Sequence, residues 1–348
     1  MKSRSLTLAE KRSLETGKEL HLVKAERGYA LAREITSAAD DNTMVICLDL
    51  QQALPTPKVS TSIAFYKRKL WTYNFGIHDY KTKRGFMYLW DEITAKRGAC
   101  EIASCIYKFI TTQVPPTTKK LYIFSDNCPG QNKNYILILF YLHMVHKRHL
   151  EEITHIFFRV GHTYMPADSH FATIENAIRR QTFIYTPKNY RNIIKDSRIR
   201  NKFVVTEMEQ ADFYDFDQLK RRCTLRQPPK GVKFSNACYY RITKNYRIGY
   251  EFAPNYTQIR TGSGYQVRYT RGKGHRNDSL FNLNVPVPRK YLEPLALKPA
   301  KLKDLQDLVP GVVPNEEYNE YWHAILNSTP GQNNEDEDEP LDFCAEYD

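Results

Sequence analysis

The stretch Leu121-Tyr122-Ile123-Phe124-Ser125-Asp126-Asn127-Cys128-Pro129-Gly130 constrains the fold more than any other part of this chain. An apolar β-forming run ends on an acid, Pro-Gly turns the backbone, and a strongly apolar helical run follows over 135–146. A strand–turn–helix unit of this kind belongs to an α/β sheet. Its acid falls at the carboxyl end of a buried strand, where open α/β sheets put their chemistry. A second apolar run, Met44–Leu48, ends on Asp49. A third, Ile153–Val160, leads into an amphipathic helix over 167–180 that carries Asp168 and Glu175.

Three further runs, Thr61–Tyr66, Leu70–Ile77 and Gly85–Trp90, are rich in aromatic and β-branched residues and read as strands. They follow the Asp49 strand too closely to contain crossover helices, which need about a dozen residues. The spacing therefore predicts an antiparallel meander, a helix over 100–111 stopped by Pro115-Pro116, and then alternating strand and helix. The expected class is α/β: a ribonuclease H-like core over 41–200, its mixed sheet combining that meander with parallel strands and helices on both faces. A helical arm over 1–40 precedes it, stopped at Asp40-Asp41-Asn42. From Arg179 the character changes: residues 179–276 hold 22 Lys or Arg against 7 Asp or Glu, interleaved with Tyr. This predicts a smaller basic β-rich accessory domain over 201–299, a short helical segment over 300–329 and an acidic disordered tail over 330–348.

Charge points to the partner class. The net charge is +12, but residues 335–348 carry eight acids and no Lys or Arg, so the remainder carries +20. A surplus of that size favours a polyanion, DNA first and RNA second, with a homo-oligomer compatible with either. No run approaches the ~18 apolar residues of a membrane span, so no membrane partner is expected. Met1-Lys2-Ser3-Arg4-Ser5 leads into charged sequence and not an apolar signal segment, and the seven cysteines include no Cys-x-x-Cys. The expected location is nuclear or otherwise intracellular, with reduced thiols.

Acids at two strand ends and on one helix are the ligands that a two-magnesium phosphoryl-transfer site requires. Asp49, Asp126 and Asp168 are the expected ligands of Mg²⁺ or Mn²⁺. Glu175 follows Asp168 on the same helical face but about 10 Å away, so only one of the two can ligate. Asp168 is preferred because the helix starts there, and Glu175 is left to assist. His162, after Gly161 at a strand end, is positioned to orient a phosphate or move a proton. Gln131, Asn132 and Lys133 at a helix start suit backbone phosphate contacts. Arg179, Arg180, Lys220, Arg221 and Arg222 suit the same polyanion. Each acid also has an ordinary alternative: Asp49 capping a turn, Asp126 an Asx-turn, Asp168 a helix-dipole carboxylate. His143, His146 and His149 recur at i, i+3 and i+6 without matching Cys or acids, which reads as a solvated helix end.

Ser125-Asp126-Asn127 resembles the Ser/Thr-Asp-Asn-Gly segment of retroviral-type integrases and other acidic-triad (DDE/DDD) transposases. More specifically, four segments resemble a family of uncharacterised, transposon-derived proteins of insects and other invertebrates. They are Asp49–Pro57, Phe65–Asn74, Ser125–Asn134 and Gly161-His162-Thr163 through Asp168-Ser169. The resemblance implies a ribonuclease H-like core with Asp49, Asp126 and Asp168 (or Glu175) on its acidic positions. Integrases carry Gly after Asp-Asn where this chain has Cys128. The expected function is hydrolysis or transfer of DNA phosphodiesters. The alternative is a catalytically silent, domesticated remnant that binds nucleic acid or another protein.

Overall fold

The computed structural model describes residues 8–159, 165–226, 230, 233–244, 249–271, 286–314 and 316–331. In chain order the first half runs α1 (Leu8–Ala38), β1 (Thr43–Leu50), β2 (Leu54–Thr56), α2 (Ser62–Tyr66), β3 (Leu70–Asp79), β4 (Gly85–Asp91), α3 (Ala99–Thr112), β5 (Lys120–Ser125), α4 (Tyr135–Lys147) and β6 (Glu152–Phe157). It continues with α5 (Pro166–Arg179), α6 (Pro187–Asp196), β7 (Val204–Glu207), α7 (Leu219–Arg222), β8 (Cys223–Leu225), β9 (Tyr239–Thr243) and β10 (Tyr250–Ala253). The last elements are α8 (Gln258–Thr261), β11 (Tyr265–Val267), β12 (Tyr269–Arg271), α9 (Pro299–Val312) and α10 (Glu316–Leu326).

Among the described residues these strands build a ten-stranded mixed sheet in the order β11-β10-β9-β6-β5-β1-β3-β4-β7, with β2 attached to β3. β1, β3 and β4 form an antiparallel meander. On the other side of β1, β5 and β6 run parallel to it. Strand alternation assigns β1 to two cores at once. Ile46 and Leu48 join the layer containing α3 and α4, while Val45 and Cys47 join the layer containing α1, α5 and α6. All four are essentially inaccessible, which is why this central strand reads as one apolar run. The last turns of α1, through Leu31 and Ala32, pack on the second layer.

Two expectations meet a different arrangement. Thr61–Tyr66, expected as a strand, contains α2, and Ile63, Phe65 and Tyr66 point to solvent because no sheet face receives them. The 201–299 stretch does not stand apart: β9 pairs antiparallel with β6, and β10 and β11 continue the sheet. Without β9, β6 would expose an unpaired edge, and Tyr240, Ile242 and Phe252 instead extend the α3/α4 core. A third small core joins Leu70 to Leu302, Leu305, Val309 and Trp322 of α9 and α10. Residues 332–348, most of the expected acidic tail, lie outside the described residues. Among the described residues no helix is long and apolar enough to cross a membrane.

Candidate active site

β1 and β5 are parallel neighbours with Cys47 opposite Phe124. Continuing that register by two residues sets Asp49 beside Asp126, on one edge and one face of the sheet. The face is the one α5 crosses. The β3 partner of Asp49 is Gly76, and a Cβ there would stand 2.8 Å from the Phe171 ring of α5. Glycine thus lets α5 settle onto the sheet at the level of Asp49, which brings the first turn of α5, with Asp168, over the strand ends.

The carboxylates meet there. Asp49 and Asp168 share a hydrogen bond, and Asp126 repels both. Burial pushes the Asp49 carboxyl well above the ordinary carboxylate range, and the charges of Asp126 and Asp168 push it further. Asp168 is also raised, by burial first, although its bond to the Met165 amide works the other way. The side chains are otherwise fixed. Asp49 Oδ1 accepts from the Leu50 amide at 2.8 Å, and Asp168 Oδ2 accepts from the Met165 amide at 2.7 Å. Asp126 Oδ1 accepts from the Cys128 amide at 3.2 Å and from Asn132 Nδ2 at 2.5 Å. Cys128 lies under this turn, its thiol pushed up to about 11 by burial and by Asp126. Among the described residues no three of His, Cys, Asp and Glu enclose a ready-made metal cage. The acids instead meet pairwise around Asp49.

The remaining sequence-predicted residues divide. Glu175 is not part of the cluster; it lies two turns further along α5, half-exposed, 3.9 Å from Arg179. Asn132 and Lys133, expected as phosphate contacts, are buried. Asn132 holds Asp126, and Lys133 Nζ donates to the Ser235 carbonyl at 2.5 Å over the Phe157 ring. Burial lowers Lys133 to about 8, so its ammonium supports the approach to β9 and does not face a ligand. Gln131 is partly exposed at the same turn, and Arg180, Lys220 and Arg221 are exposed, Lys220 pairing with Asp217. His162 and the side chain of Arg222 lie outside the described residues. His143 and His146, expected at a solvated helix end, are buried in α4, which is covered by the sheet on one side and by α3 and α7 on others.

Several residues beside the acids escaped the sequence reading. Gln51 continues the Asp49 face of β1, and its Oε1 accepts from Asn74 Nδ2 at 2.8 Å. Both residues are buried. Gln51 Nε2, Asn74 Oδ1, Asn127 Oδ1 and Asn132 Oδ1 have no hydrogen-bond partner among the described residues. The period-2 pattern after Asp49 signals Gln51, but Asn74 requires the register. Behind Asp168 on α5, His170 Nε2 lies 2.9 Å from His78 Nδ1. Burial lowers both imidazoles to about 4, so the pair is neutral near pH 7. Ser125, next to Asp126, is held 2.8 Å from His155 Nε2, and Tyr141 closes the chain at His155 Nδ1. The Asp126 strand end is therefore braced from the α4 side.

The structure thus defines an α/β protein with a mixed sheet whose carboxyl edge gathers three acids. The chain belongs to the family described as Domain of unknown function (DUF7869), whose model matches residues 67–247, just over half of its length. The match includes Asp126 and Asp168, while Asp49 precedes it. No curated protein and no solved structure matches the chain.

Proposed function

We propose that this chain is a ribonuclease H-like, transposon-derived nuclease or polynucleotidyl transferase that hydrolyses or transfers DNA phosphodiesters. The observation that carries the reading is Asp49: a half-buried acid whose carboxyl is raised by two more acids, delivered by β5 and α5. The sheet order supports it, with a meander on one side of the Asp49 strand and parallel strands on the other. So do the resemblance of the Asp49, Ser125–Asn134 and Asp168 segments to transposon-derived proteins and the +20 surplus outside the tail.

Mg²⁺ or Mn²⁺ fits this donor set. A carboxyl–carboxyl hydrogen bond needs a proton to hold two like charges together, and a divalent cation does the same with more charge. Magnesium commonly takes one or two carboxylates and completes its shell with waters and phosphate, which suits acids that meet pairwise. Asp49, Asp126 and Asp168 would hold the ion, which when bound supplies charge neutralisation and a more acidic attacking hydroxyl. The protein does the rest. Asn132 and the Cys128 amide fix the Asp126 carboxylate, the α5 cap fixes Asp168, and Gln51 Nε2 offers a buried donor beside Asp49. Together they present a rigid edge to a phosphodiester attacked in line by water or a 3′-hydroxyl.

A silent, domesticated nucleic-acid binder is the second reading. It draws on the structural bonds of the same acids: Asp168 caps its own helix, and Asp126 organises its own turn. Cleavage of labelled DNA in Mg²⁺ or Mn²⁺ separates the two. The enzyme reading predicts product from wild type, a loss of about a thousandfold or more in Asp126→Ala, and retention in Glu175→Gln. Equal cleavage by wild type and Asp126→Ala overturns it.

A further inference from the structure

The segment from Leu50 to His78 contains four Lys or Arg and no Asp or Glu. At its centre α2 carries Phe65 and Tyr66, each 82% exposed, with ring centroids 5.2 Å apart in an edge-on arrangement. Two exposed aromatic rings on one turn are a costly surface in water unless something covers them. The arm is not loose. Lys67 pairs with Asp304 and Asp307, and Arg68 pairs with Asp304 through both its guanidinium and its amide. Those bonds clamp the base of α2 to α9 and leave the rings outward.

The surroundings fix the chemistry of what covers the rings. Lys58, four residues before α2, pairs in a β-bridge with Ile184, whose neighbour Phe183 is 49% exposed. Lys58 Nζ caps the end of α5 on the Ile178 and Gln181 carbonyls, where Arg180 is exposed. The acids Asp304 and Asp307 are matched by Lys67 and Arg68, so Lys58, Lys69 and Arg180 leave the patch net positive. Aromatic faces interleaved with cations suit a polyanion whose bases are free to stack. Duplex bases already stack on each other, so the fit is to unpaired nucleotides.

Position adds a distance. Asp49 pairs with Gly76 on β3, and Leu70, where the arm rejoins the sheet, lies six residues away along the same strand. At ~3.4 Å per residue this is about 20 Å. A stacked strand rising ~3.4 Å per nucleotide covers that span in about six nucleotides.

We propose that α2 presents Phe65 and Tyr66 as a stacking platform for unpaired nucleobases of a strand that runs on to the acidic edge. The inference rests on the nucleic-acid reading above. Its test is therefore binding in EDTA, independent of whether the acids cut. Full-length wild type and the Phe65→Ala/Tyr66→Ala double variant are titrated with fluorescein-labelled 20-nucleotide single-stranded DNA, the RNA of the same sequence, and the corresponding DNA duplex. The double variant is expected to bind both single strands about tenfold or more weakly, with duplex affinity within about twofold and the salt slope unchanged. A Phe65→Trp variant, which keeps a ring, retains affinity, and its emission is quenched by the oligonucleotide. The proposal is overturned if single-strand affinity is unchanged, if single strand and duplex weaken equally, or if the only effect is conversion of an oligomer to monomer in sedimentation. A failed cleavage assay with this binding difference intact would remove the enzyme reading and leave the platform standing.

Discussion

Glu101 is a buried acid and Asp49 a half-buried one, and the difference in their company separates a structural carboxylate from a functional one. Glu101, in the first turn of α3, is wholly inaccessible. It accepts from the Gly98 amide at 2.8 Å, from Lys290 Nζ and from Tyr291 OH, so a cation and two further donors offset its desolvation. Asp49 has one amide and two more acids. A chain that can deliver a lysine across 189 residues to satisfy Glu101 places two carboxylates against Asp49. That arrangement costs stability in the free protein and is useful when a cation or a polar transition state enters.

The comparison can be broken from either side. The largest effect is expected at the structural acid: Glu101→Ala leaves Lys290 and Tyr291 without their shared acceptor and destabilises by about 3 kcal/mol, read by urea unfolding. Less than about 1 kcal/mol there would mean that the partners do not matter. Gly76→Ala tests the acidic edge by geometry. Its Cβ meets the Phe171 ring at 2.8 Å, so the substitution is expected to cost about 1–3 kcal/mol and to lower activity by shifting Asp168 away from Asp49. Unchanged activity would show that the seating of α5 is not what assembles the cluster.

The smallest and most discriminating effect is at Asp49. Replacing a repelled acid by its neutral isostere, Asp49→Asn, is expected to stabilise by about 1 kcal/mol while abolishing activity. The sign in pH follows from the raised carboxyl. Above the unfolded value near ~3.9 the folded wild type binds more protons than the unfolded chain, so its stability falls as pH rises through the raised value. The advantage of Asp49→Asn over wild type should therefore grow from about pH 4 upward. Melts of both proteins across pH check this, and a gap independent of pH would contradict it.

Much of this was legible in the chain because local pattern decides it. Apolar runs ending in Asp49 and Asp126 mark strand ends, and Pro166 with Asp168 marks the start of α5. The choice of Asp168 over Glu175 rests on the same helix start. What was not legible depends on long-range contact. Lys133 sits in a polar stretch that looks solvated, yet it is buried with its ammonium on the Ser235 carbonyl, about a hundred residues later in the turn before β9. Tyr239, Tyr240 and Tyr250, interleaved with cations in the sequence, are wholly buried because their strands extend the sheet past β6. Thr61–Tyr66 has β-forming residues but no strand to pair with, so propensity gave way to a helical turn.

The most direct test of the acidic edge is a Mn²⁺ titration of EDTA-stripped protein followed by thermal melting at pH 8, wild type beside Asp49→Asn. The account predicts that Mn²⁺ raises the melting temperature of wild type by several degrees and leaves Asp49→Asn unmoved. No shift in wild type, or an equal shift in the variant, would contradict it.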